Sequence, residues 1–220
     1  MGFFSRYKKT NFRAGGLILE PISDSAPRLK TEISFVAPRK IDFRDMCLPS
    51  NDQGQFPHCA GYATAGYIEV QNWRIKHYPE QLDGSAIYFA AKAVEGRQGD
   101  GTTLQCAIQG AINLGLVSGK GIIVNKSIND VKFAIHQYGV VVAGFMITDD
   151  WNYVEKNTGI IRDSGGKAVI RGGHAVLLCG LDSIGFYIQN SWGFNWGIDG
   201  FATLRYNQAE KQLMQAMIIV

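Results

Sequence analysis

Apolar residues recur at three- and four-residue steps through the first part of the chain, which is the periodicity of helices with one buried face. The most regular run extends from Cys59 to about Tyr78, with Pro57 close to its first turn. Ser127 and Asp130 form a capping pattern at the start of another run, because such a pair satisfies free amides in a first turn. Beyond the first helix, the periodicity predicts helices at residues 85–95, 103–114 and 128–138.

The spacing of apolar residues changes in the last third of the chain. From about residue 140, short apolar or alternating runs are separated by Gly, Asp and Asn, which is typical of β-strands joined by turns. The predicted strands are residues 140–147, 174–181, 185–192, 200–206 and 214–220. Because helices come first and strands later, this order favours an α+β fold over alternating βαβ units. We expect a helical lobe and an antiparallel sheet lobe that meet at a cleft.

Composition and charge exclude several classes of protein. A chain of 220 residues that is 46% hydrophobic can bury a sizeable core and is unlike a disordered chain. Its net charge of +3 is scattered along the sequence, so no basic stripe indicates binding to nucleic acid or to a membrane. No apolar run is long enough for a membrane helix or a secretory signal peptide. We therefore expect a cytoplasmic protein.

The chain has four widely spaced cysteines: Cys47, Cys59, Cys106 and Cys179. No CxxC pair occurs, which argues against a zinc site and against a dense disulfide framework. We therefore expect free thiols and no metal, with Cys106 and Cys179 as small core residues. The adjacent carboxylates Asp149 and Asp150 are interpreted as a solvated turn and not as a catalytic dyad.

Cys59 lies where a run of small and polar residues gives way to the first long helix. Free backbone amides and the helix dipole favour an anion at this position, so the thiol ionises more easily. The thiolate is the nucleophilic form of cysteine, and a nearby imidazolium would stabilise it further. Three of the four histidines are poor partners. His58 is adjacent and points away, His77 is at the far end of the helix, and His136 faces solvent.

His174 is the remaining candidate for a catalytic histidine. It follows Gly172 and Gly173 and opens a predicted strand, so its ring can project into a cleft past two residues without side chains. Asn190, on the next predicted strand, could accept a hydrogen bond from the far ring nitrogen and hold the ring in one tautomer. Taken alone, a histidine at the start of a strand is more often structural.

The residues around these positions resemble those of the papain-like cysteine peptidases. Gln53 precedes Cys59 by six positions, as a glutamine does in that family. The segments GGHAVLLCGLD and NSWGFNWGIDGFATL resemble its histidine strand and its Asn-Ser-Trp-Gly signature, and IDFRD resembles the start of its mature domain. The resemblance covers about residues 40–220. It implies the two-lobe papain-like fold, with an active site between the lobes.

The resemblance also implies a role for each residue of the set. Cys59 attacks the carbonyl carbon as a thiolate, and His174 as an imidazolium gives its proton to the leaving amine. Asn190 orients His174, and Gln53 forms the oxyanion hole with the Cys59 backbone amide. Trp192 would cover the hydrogen bond between His174 and Asn190 from water.

Other residues resemble the substrate-binding parts of the family. Gly101 is similar to the edge that pairs with the backbone of an extended substrate, and Gly173 and Ala175 leave room for an apolar side chain. Together with Trp192, these are the expected substrate-contacting residues. The resemblance implies a polypeptide substrate and no cofactor, and we expect a monomer that binds neither nucleic acid nor a membrane.

Three positions depart from the pattern of the family. Ala60 replaces the aromatic residue that usually follows the nucleophile, and Phe56 replaces a cysteine, so the familiar disulfide is absent there. His58, directly before the nucleophile, is unusual and could line the cleft. The segment from residue 98 to 117 is more similar to microbial and viral members than to lysosomal ones, which suggests a bacterial or viral source.

Residues 1–40 differ from the domain that we assign to residues 41–220. They hold three of the six prolines and show little periodicity, which indicates an extended arm. Two interpretations remain open. The arm could be a short inhibitory propeptide that pairs with the edge near Gly101, with Gly15 and Gly16 close to Cys59. It could equally be a strap on the outside of a lobe.

Three classes of function fit this set of residues. A thiol endopeptidase is the leading interpretation. An amidase, an exopeptidase or a peptide ligase would share the same catalytic residues and would differ in its products. An inactive binding protein is the third alternative, and the retention of both Cys59 and His174 argues against it.

Overall fold

The structure is a computed structural model that describes residues 6–9, 15–21, 23, 25–78 and 80–220. Helices of this part of the chain are α1 (Cys59–Lys76), α2 (Gly84–Glu95), α3 (Leu104–Asn113), α4 (Ile128–Tyr138) and α5 (Tyr206–Gln212). The strands are β1 (Tyr7–Lys9), β2 (Ile41–Asp42), β3 (Gly121–Val124), β4 (Val141–Thr148), β5 (Tyr153–Glu155), β6 (Ile170–Leu181), β7 (Gly185–Gln189), β8 (Phe201–Arg205) and β9 (Leu213–Ile219). Part of the predicted arm, including residues 1–5 and 10–14, lies outside the described residues.

The first four helices confirm the periodicity of the sequence, and local side chains define their ends. The hydroxyl of Ser127 accepts the Asp130 amide at the start of α4, as the sequence predicts. Thr103 caps α3 in the same way, and the Asp83 carboxylate caps α2. At the end of α1, His77 adopts a left-handed conformation with φ of 54°, which stops the helix.

The sheet is antiparallel throughout its strand pairs and is built mainly from the second half of the chain. Its strand order is β3-β9-β4-β6-β7-β8, and β2 pairs with β6 outside this path. The strands β4 and β6 lie near its centre and are largely buried. A separate antiparallel pair is formed by β1 and β5. The helical first half and the antiparallel second half confirm the predicted α+β fold class.

The helices α1, α2 and α3 pack closely because small residues lie at their contacts. A side chain on Gly61 would meet the Gly84 carbonyl oxygen at 2.1 Å, and one on Gly110 would meet the Ala91 amide at 2.6 Å. Helix α1 also packs against β6, so the helical part and the sheet share one hydrophobic core. The N-terminus of α1 therefore lies opposite the sheet, beside the strand that carries His174.

The sequence analysis missed five elements, which are β1, β2, β3, β5 and α5, and one strand is longer than predicted. The strand β3 is a short apolar run without alternation, and α5 is a single short helix whose polar residues resemble a turn. β6 begins at Ile170, before His174, because its Gly172 and Gly173 pair with β4. His174 therefore lies within the strand and not at its start.

The acidic turn after β4 is not solvated, contrary to the sequence interpretation. Asp150 is 2% exposed, and its carboxylate accepts hydrogen bonds from Arg162 Nε at 2.5 Å and from the Ser164 amide at 2.9 Å. The Arg162 guanidinium lies over the Tyr153 ring. This ion pair fixes the loop between β5 and β6, so Asp150 is structural.

The described residues of the N-terminal arm contact three parts of the molecule. Residues 15–18 cross the N-terminal end of α1. Residues 27–29 lie parallel to β3, with hydrogen bonds from the Ile123 amide to the Pro27 carbonyl and from the Leu29 amide to the Ile123 carbonyl. Phe35 then packs edge-to-face on Phe133 of α4 at 5.1 Å. The arm is thus bound in the cleft through residues 15–18 and on the outer surface of the domain through residues 27–35.

A buried carboxyl group on α1 makes the stability of the fold depend on pH. Glu69 is 3% exposed, and burial raises the pKa of its carboxyl to about 7, although the Leu82 amide donates to it at 2.8 Å. The folded state therefore holds this proton more tightly than the unfolded chain, where the pKa of glutamate is about 4.3. Its contribution to stability is complete below that value and is lost as the pH rises through about 7.

Glu69→Gln should remove this pH dependence and stabilise the protein at pH 8. The amide still accepts from Leu82 and carries no charge, so we expect a gain of about 1–3 kcal/mol. Urea unfolding at pH 5 and pH 8 measures it, with Glu210→Gln on the exposed face of α5 as the control. Equal pH dependence in the two variants would contradict the assignment.

Candidate active site

Cys59 is the first residue of α1 and is completely buried. Burial raises the pKa of its thiol, while backbone amides of Ala175, Gly16 and Ala60 lower it in part. The Gly16 amide donates to Sγ at 3.2 Å. The amides around the sulfur come from α1, β6 and the arm, and the arm shields the thiol from water. The easier ionisation that the helix terminus predicts is therefore outweighed by burial in this state.

His174 and Asn190 form the hydrogen bond that the sequence predicts. His174 Nε2 lies 2.8 Å from Asn190 Oδ1. The Ser191 amide also donates to Oδ1 at 2.8 Å, which identifies this atom as the acceptor and assigns the ring proton to Nε2. Asn190 is itself fixed, because its carbonyl oxygen accepts a hydrogen bond from Ser50 Oγ at 2.5 Å.

With the proton on Nε2, the second ring nitrogen of His174, Nδ1, carries a free lone pair. None of the residues that the structure describes forms a hydrogen bond with Nδ1, although the ring is completely buried. Ala175 follows His174 directly and its amide reaches the Cys59 thiol, so β6 brings the histidine beside the nucleophile. Burial lowers the pKa of His174 to about 4, and the hydrogen bond to Asn190 opposes this only in part. Burial therefore opposes the charged form of both Cys59 and His174 in this state.

Two tryptophans pack on the His174 ring, and a third packs on both of them. Trp192 lies at 4.9 Å between ring centroids and is 3% exposed, so it covers the bond between His174 and Asn190 as expected. Trp151 meets the histidine ring edge-on at 6.1 Å, and Trp196 packs against both other indoles. The sequence analysis missed Trp151 because it lies in a turn far from the motif.

Gln53 lies in the turn that precedes α1 and is 2% exposed. Ser191 Oγ donates to its side-chain oxygen at 2.7 Å, and its side-chain nitrogen donates to the Phe56 carbonyl at 2.7 Å. These bonds turn the nitrogen end of the amide toward the loop before Cys59. Backbone pairing of residues 52–53 with residues 191–192 joins this loop to the one that carries Asn190.

Two of the predicted substrate-contacting residues, Gly101 and Gly173, lie on the path of the arm. The Thr102 amide, directly after Gly101, donates to the Gly16 carbonyl at 2.9 Å, and the Ile18 amide donates to the Thr102 carbonyl at 2.9 Å. On the other side, the Leu17 amide donates to the Gly173 carbonyl at 3.2 Å. The arm is therefore clamped by backbone bonds between the edge at residue 102 and β6.

The side chain of Leu17 fills an apolar recess of the cleft. It is 7% exposed and lies over Gly144 of β4, where a methyl group would meet its Cδ2 atom at 2.3 Å. A side chain on Gly173 would meet the Leu17 carbonyl oxygen at the same distance. The missing side chain of Gly173 thus leaves space for the backbone of the arm. Ala175 contributes its backbone amide to the Cys59 thiol. Contact of either residue with a substrate side chain stays a prediction.

The remaining histidines and cysteines lie away from this site or play other parts. His136 is exposed on α4, as predicted. All four cysteines are free, Cys179 is buried, and Cys106 is half-buried against the core. Among the residues that the structure describes, no group of three or more His, Cys, Asp or Glu side chains could hold a metal ion. Within the same residues, no helix has the length and apolar character needed to cross a bilayer.

Solved structures with the same arrangement of helices and strands are proteases. Xylellain, a cysteine protease from Xylella fastidiosa, is 20% identical, with a TM-score of 0.79 over 100% of this chain and 98% of that chain. Procathepsin B S9 from Trypanosoma congolense is 15% identical, with a TM-score of 0.70 over 94% of this chain and 85% of that chain. Procathepsin L 3 of Tenebrio molitor is 18% identical, with a TM-score of 0.66, and the match covers 98% of this chain and 76% of that one. These likenesses show the two-lobe fold.

The sequence itself provides the evidence for the family. No curated protein sequence matches the chain. The family model described as papain family cysteine protease matches residues 100–220, which is more than half of the chain and includes both His174 and Asn190. The chain therefore belongs to the papain family of cysteine proteases.

Proposed function

We propose that the protein is a cysteine endopeptidase whose nucleophile is Cys59 and whose general acid and base is His174. The observation that carries this proposal is the bond from His174 Nε2 to Asn190 Oδ1, which leaves Nδ1 as the proton acceptor beside a cysteine at a helix N-terminus. Transfer of the thiol proton to Nδ1 would give a thiolate and an imidazolium. Asn190 is neutral, so it orients the ring without withdrawing the charge from this pair.

The chemistry follows from these positions. The Cys59 thiolate attacks the carbonyl carbon, and the oxyanion lies against the Cys59 amide and the Gln53 side chain. His174 gives its proton to the leaving amine, which breaks the C–N bond and leaves a thioester. His174 then takes a proton from water, and the hydroxide displaces the thiolate to release the acid.

The N-terminal arm keeps this pair inactive in the proposed scheme. With the arm in the cleft, burial raises the pKa of Cys59 and lowers the pKa of His174, so it opposes formation of the thiolate–imidazolium pair. Departure of the arm admits water and removes the desolvation that opposes the charged forms. The arm thus acts on the ionisation of the site as well as blocking access to it.

The geometry of the arm also explains how it resists cleavage. The group that Gly16 presents to Sγ is its amide N–H, while its own carbonyl oxygen is bound by the Thr102 amide on the other side. The arm lies parallel to the edge at Thr102, and Leu17 is held on both sides by backbone bonds. These contacts support an inhibitory role for residues 15–20 and a strap role for residues 27–35.

Peptides blocked at both ends test the function. An endopeptidase cleaves them internally, whereas an exopeptidase requires a free terminus, and mass spectrometry of the products separates the two. Added amine would be incorporated into a new amide by a ligase. In the chain with Gly16→Ala, which releases the arm, internal hydrolysis that is lost on adding Cys59→Ser is the expected result. Alkylated Cys59 with no turnover of any peptide or amide would instead support a binding protein.

A further inference from the structure

The edge that pairs with the arm is held from behind by helix α2. The Gly101 amide donates to the Tyr88 hydroxyl at 3.2 Å, in a buried position. The Gly101 carbonyl accepts a hydrogen bond from Lys92 Nζ at 3.1 Å. Both backbone groups of one glycine are therefore bound by side chains that lie one helical turn apart on α2.

These two bonds determine where the next peptide unit points. Gly101 has φ of 84°, a conformation that glycine adopts without strain. In a trans peptide, the Gly101 carbonyl and the Thr102 amide point to opposite sides of one plane. Because Lys92 holds the carbonyl on the helix side, the Thr102 amide points into the cleft, where it donates to the Gly16 carbonyl at 2.9 Å.

The ring of Tyr88 joins this edge to the nucleophile. It stacks on His58, the residue before Cys59, with 4.0 Å between centroids and 26° between planes. His58 stacks in turn on Phe56 at 5.4 Å, and its Nδ1 lies 3.0 Å from Ser85 Oγ. One tyrosine thus contacts the loop before the nucleophile through its ring and the substrate edge through its hydroxyl.

The aromatic stack occupies the place where the sequence lacks a disulfide. A cysteine is expected at Phe56 from the resemblance, and none is present there. The Lys92 ammonium is fixed by Glu95 at 2.5 Å, and the Glu95 side chain is 3% exposed. The edge is therefore tied to the nucleophile loop without a covalent bond.

We propose that Tyr88 and Lys92 are positioning residues, which orient the Thr102 amide and carbonyl for an extended peptide and hold that edge at a fixed distance from Cys59. The inference rests on the proposed peptidase function. It assigns binding of the substrate backbone, and not the chemical step, to two side chains that touch neither Cys59 nor His174. Their loss should weaken binding of ligands that reach Thr102 and spare those that do not.

The first test uses the full chain, where the arm itself is the bound peptide. Tyr88→Phe keeps the stacked ring and removes only the hydroxyl. We expect alkylation of Cys59 by iodoacetamide to become about two- to tenfold faster, because a change of this size corresponds to the loss of one neutral hydrogen bond. Tyr62→Phe, which removes a hydroxyl that lies 3.1 Å from Ser85 Oγ in the same cluster, should leave the rate unchanged. Melting temperatures check that both variants are folded.

The second test separates binding from chemistry in the full chain with Gly16→Ala. For a blocked peptide that spans the edge, Tyr88→Phe and Lys92→Met should raise KM by about two- to tenfold with kcat nearly unchanged. A blocked single-residue ester should be hydrolysed as before. Equal slowing on both substrates, or an unchanged labelling rate and an unchanged KM, would overturn the inference. No hydrolysis of either substrate would refute the peptidase function, while the labelling rates would still decide the positioning role.

Discussion

Replacing Gly16 with alanine is expected to raise the peptidase activity of the full chain by about ten- to a hundredfold. A methyl group on Gly16 would lie 1.9 Å from the Pro57 carbonyl oxygen and 2.3 Å from its carbon. Both atoms belong to the backbone, so the arm must move away from the cleft. Overpacking of this kind costs about 1–3 kcal/mol, and each 1.4 kcal/mol changes the ratio of seated to released arm about tenfold. Hydrolysis of a blocked peptide measures the effect.

Gly166→Ala is the matched control for this prediction. Gly166 lies in the loop before β6, and apart from its chain neighbours no described residue comes within 4 Å of the methyl group that alanine would add. Its activity should equal that of the unchanged chain. If Gly16→Ala were folded and no more active than this control, residues 15–20 would not inhibit the enzyme.

Loss of the catalytic pair should have the largest effect in the opposite direction. In the chain with Gly16→Ala, Cys59→Ser or His174→Ala should lower kcat/KM by about four orders of magnitude or more. Gln53→Ala should cost about a hundredfold, which is typical of one oxyanion donor. Asn190→Ala should retain intermediate activity, because the ring loses its orientation but keeps its basic nitrogen. Steady-state kinetics on one blocked peptide compares all four.

Two further histidine variants test whether the loss of activity is specific to His174. His136→Ala removes an exposed histidine from α4 and should have no effect on hydrolysis. His58→Ala should retain hydrolysis of a short ester, because its ring is held by Ser85 and Tyr88 and is not directed at Cys59. Complete inactivity of the folded His58→Ala variant would show that the base is assigned to the wrong histidine.

Much of the site could be predicted from the sequence, because its residues lie at positions that local patterns define. Cys59 begins a helix whose apolar periodicity is visible, and His174 lies in an apolar strand after two glycines. Asn190 follows β7 at the next turn, so antiparallel pairing of β6 and β7 brings it to the histidine. The positions of these three residues follow from local periodicity and from the pairing of strands that are neighbours in sequence.

Features that depend on long-range packing could not be predicted. The burial of Asp150 requires Arg162 from a later loop, and a pair of acidic residues gives no sign of it. The contact of Tyr88 with Gly101 joins a helix to a loop, and the distance between the two depends on the packing of the whole helical lobe. The arm was left between two interpretations because a glycine pair and a few apolar residues suit a cleft and a surface equally.

The most direct test of a latent thiolate–imidazolium enzyme is the alkylation rate of each thiol by iodoacetamide at about pH 6, followed by mass spectrometry. In the unchanged chain, Cys59 should react as slowly as the buried Cys179. In Gly16→Ala, Cys59 should become the fastest of the four thiols, and addition of His174→Ala should reverse this. Rapid labelling of Cys59 in the unchanged chain, or no gain in Gly16→Ala, would contradict the account.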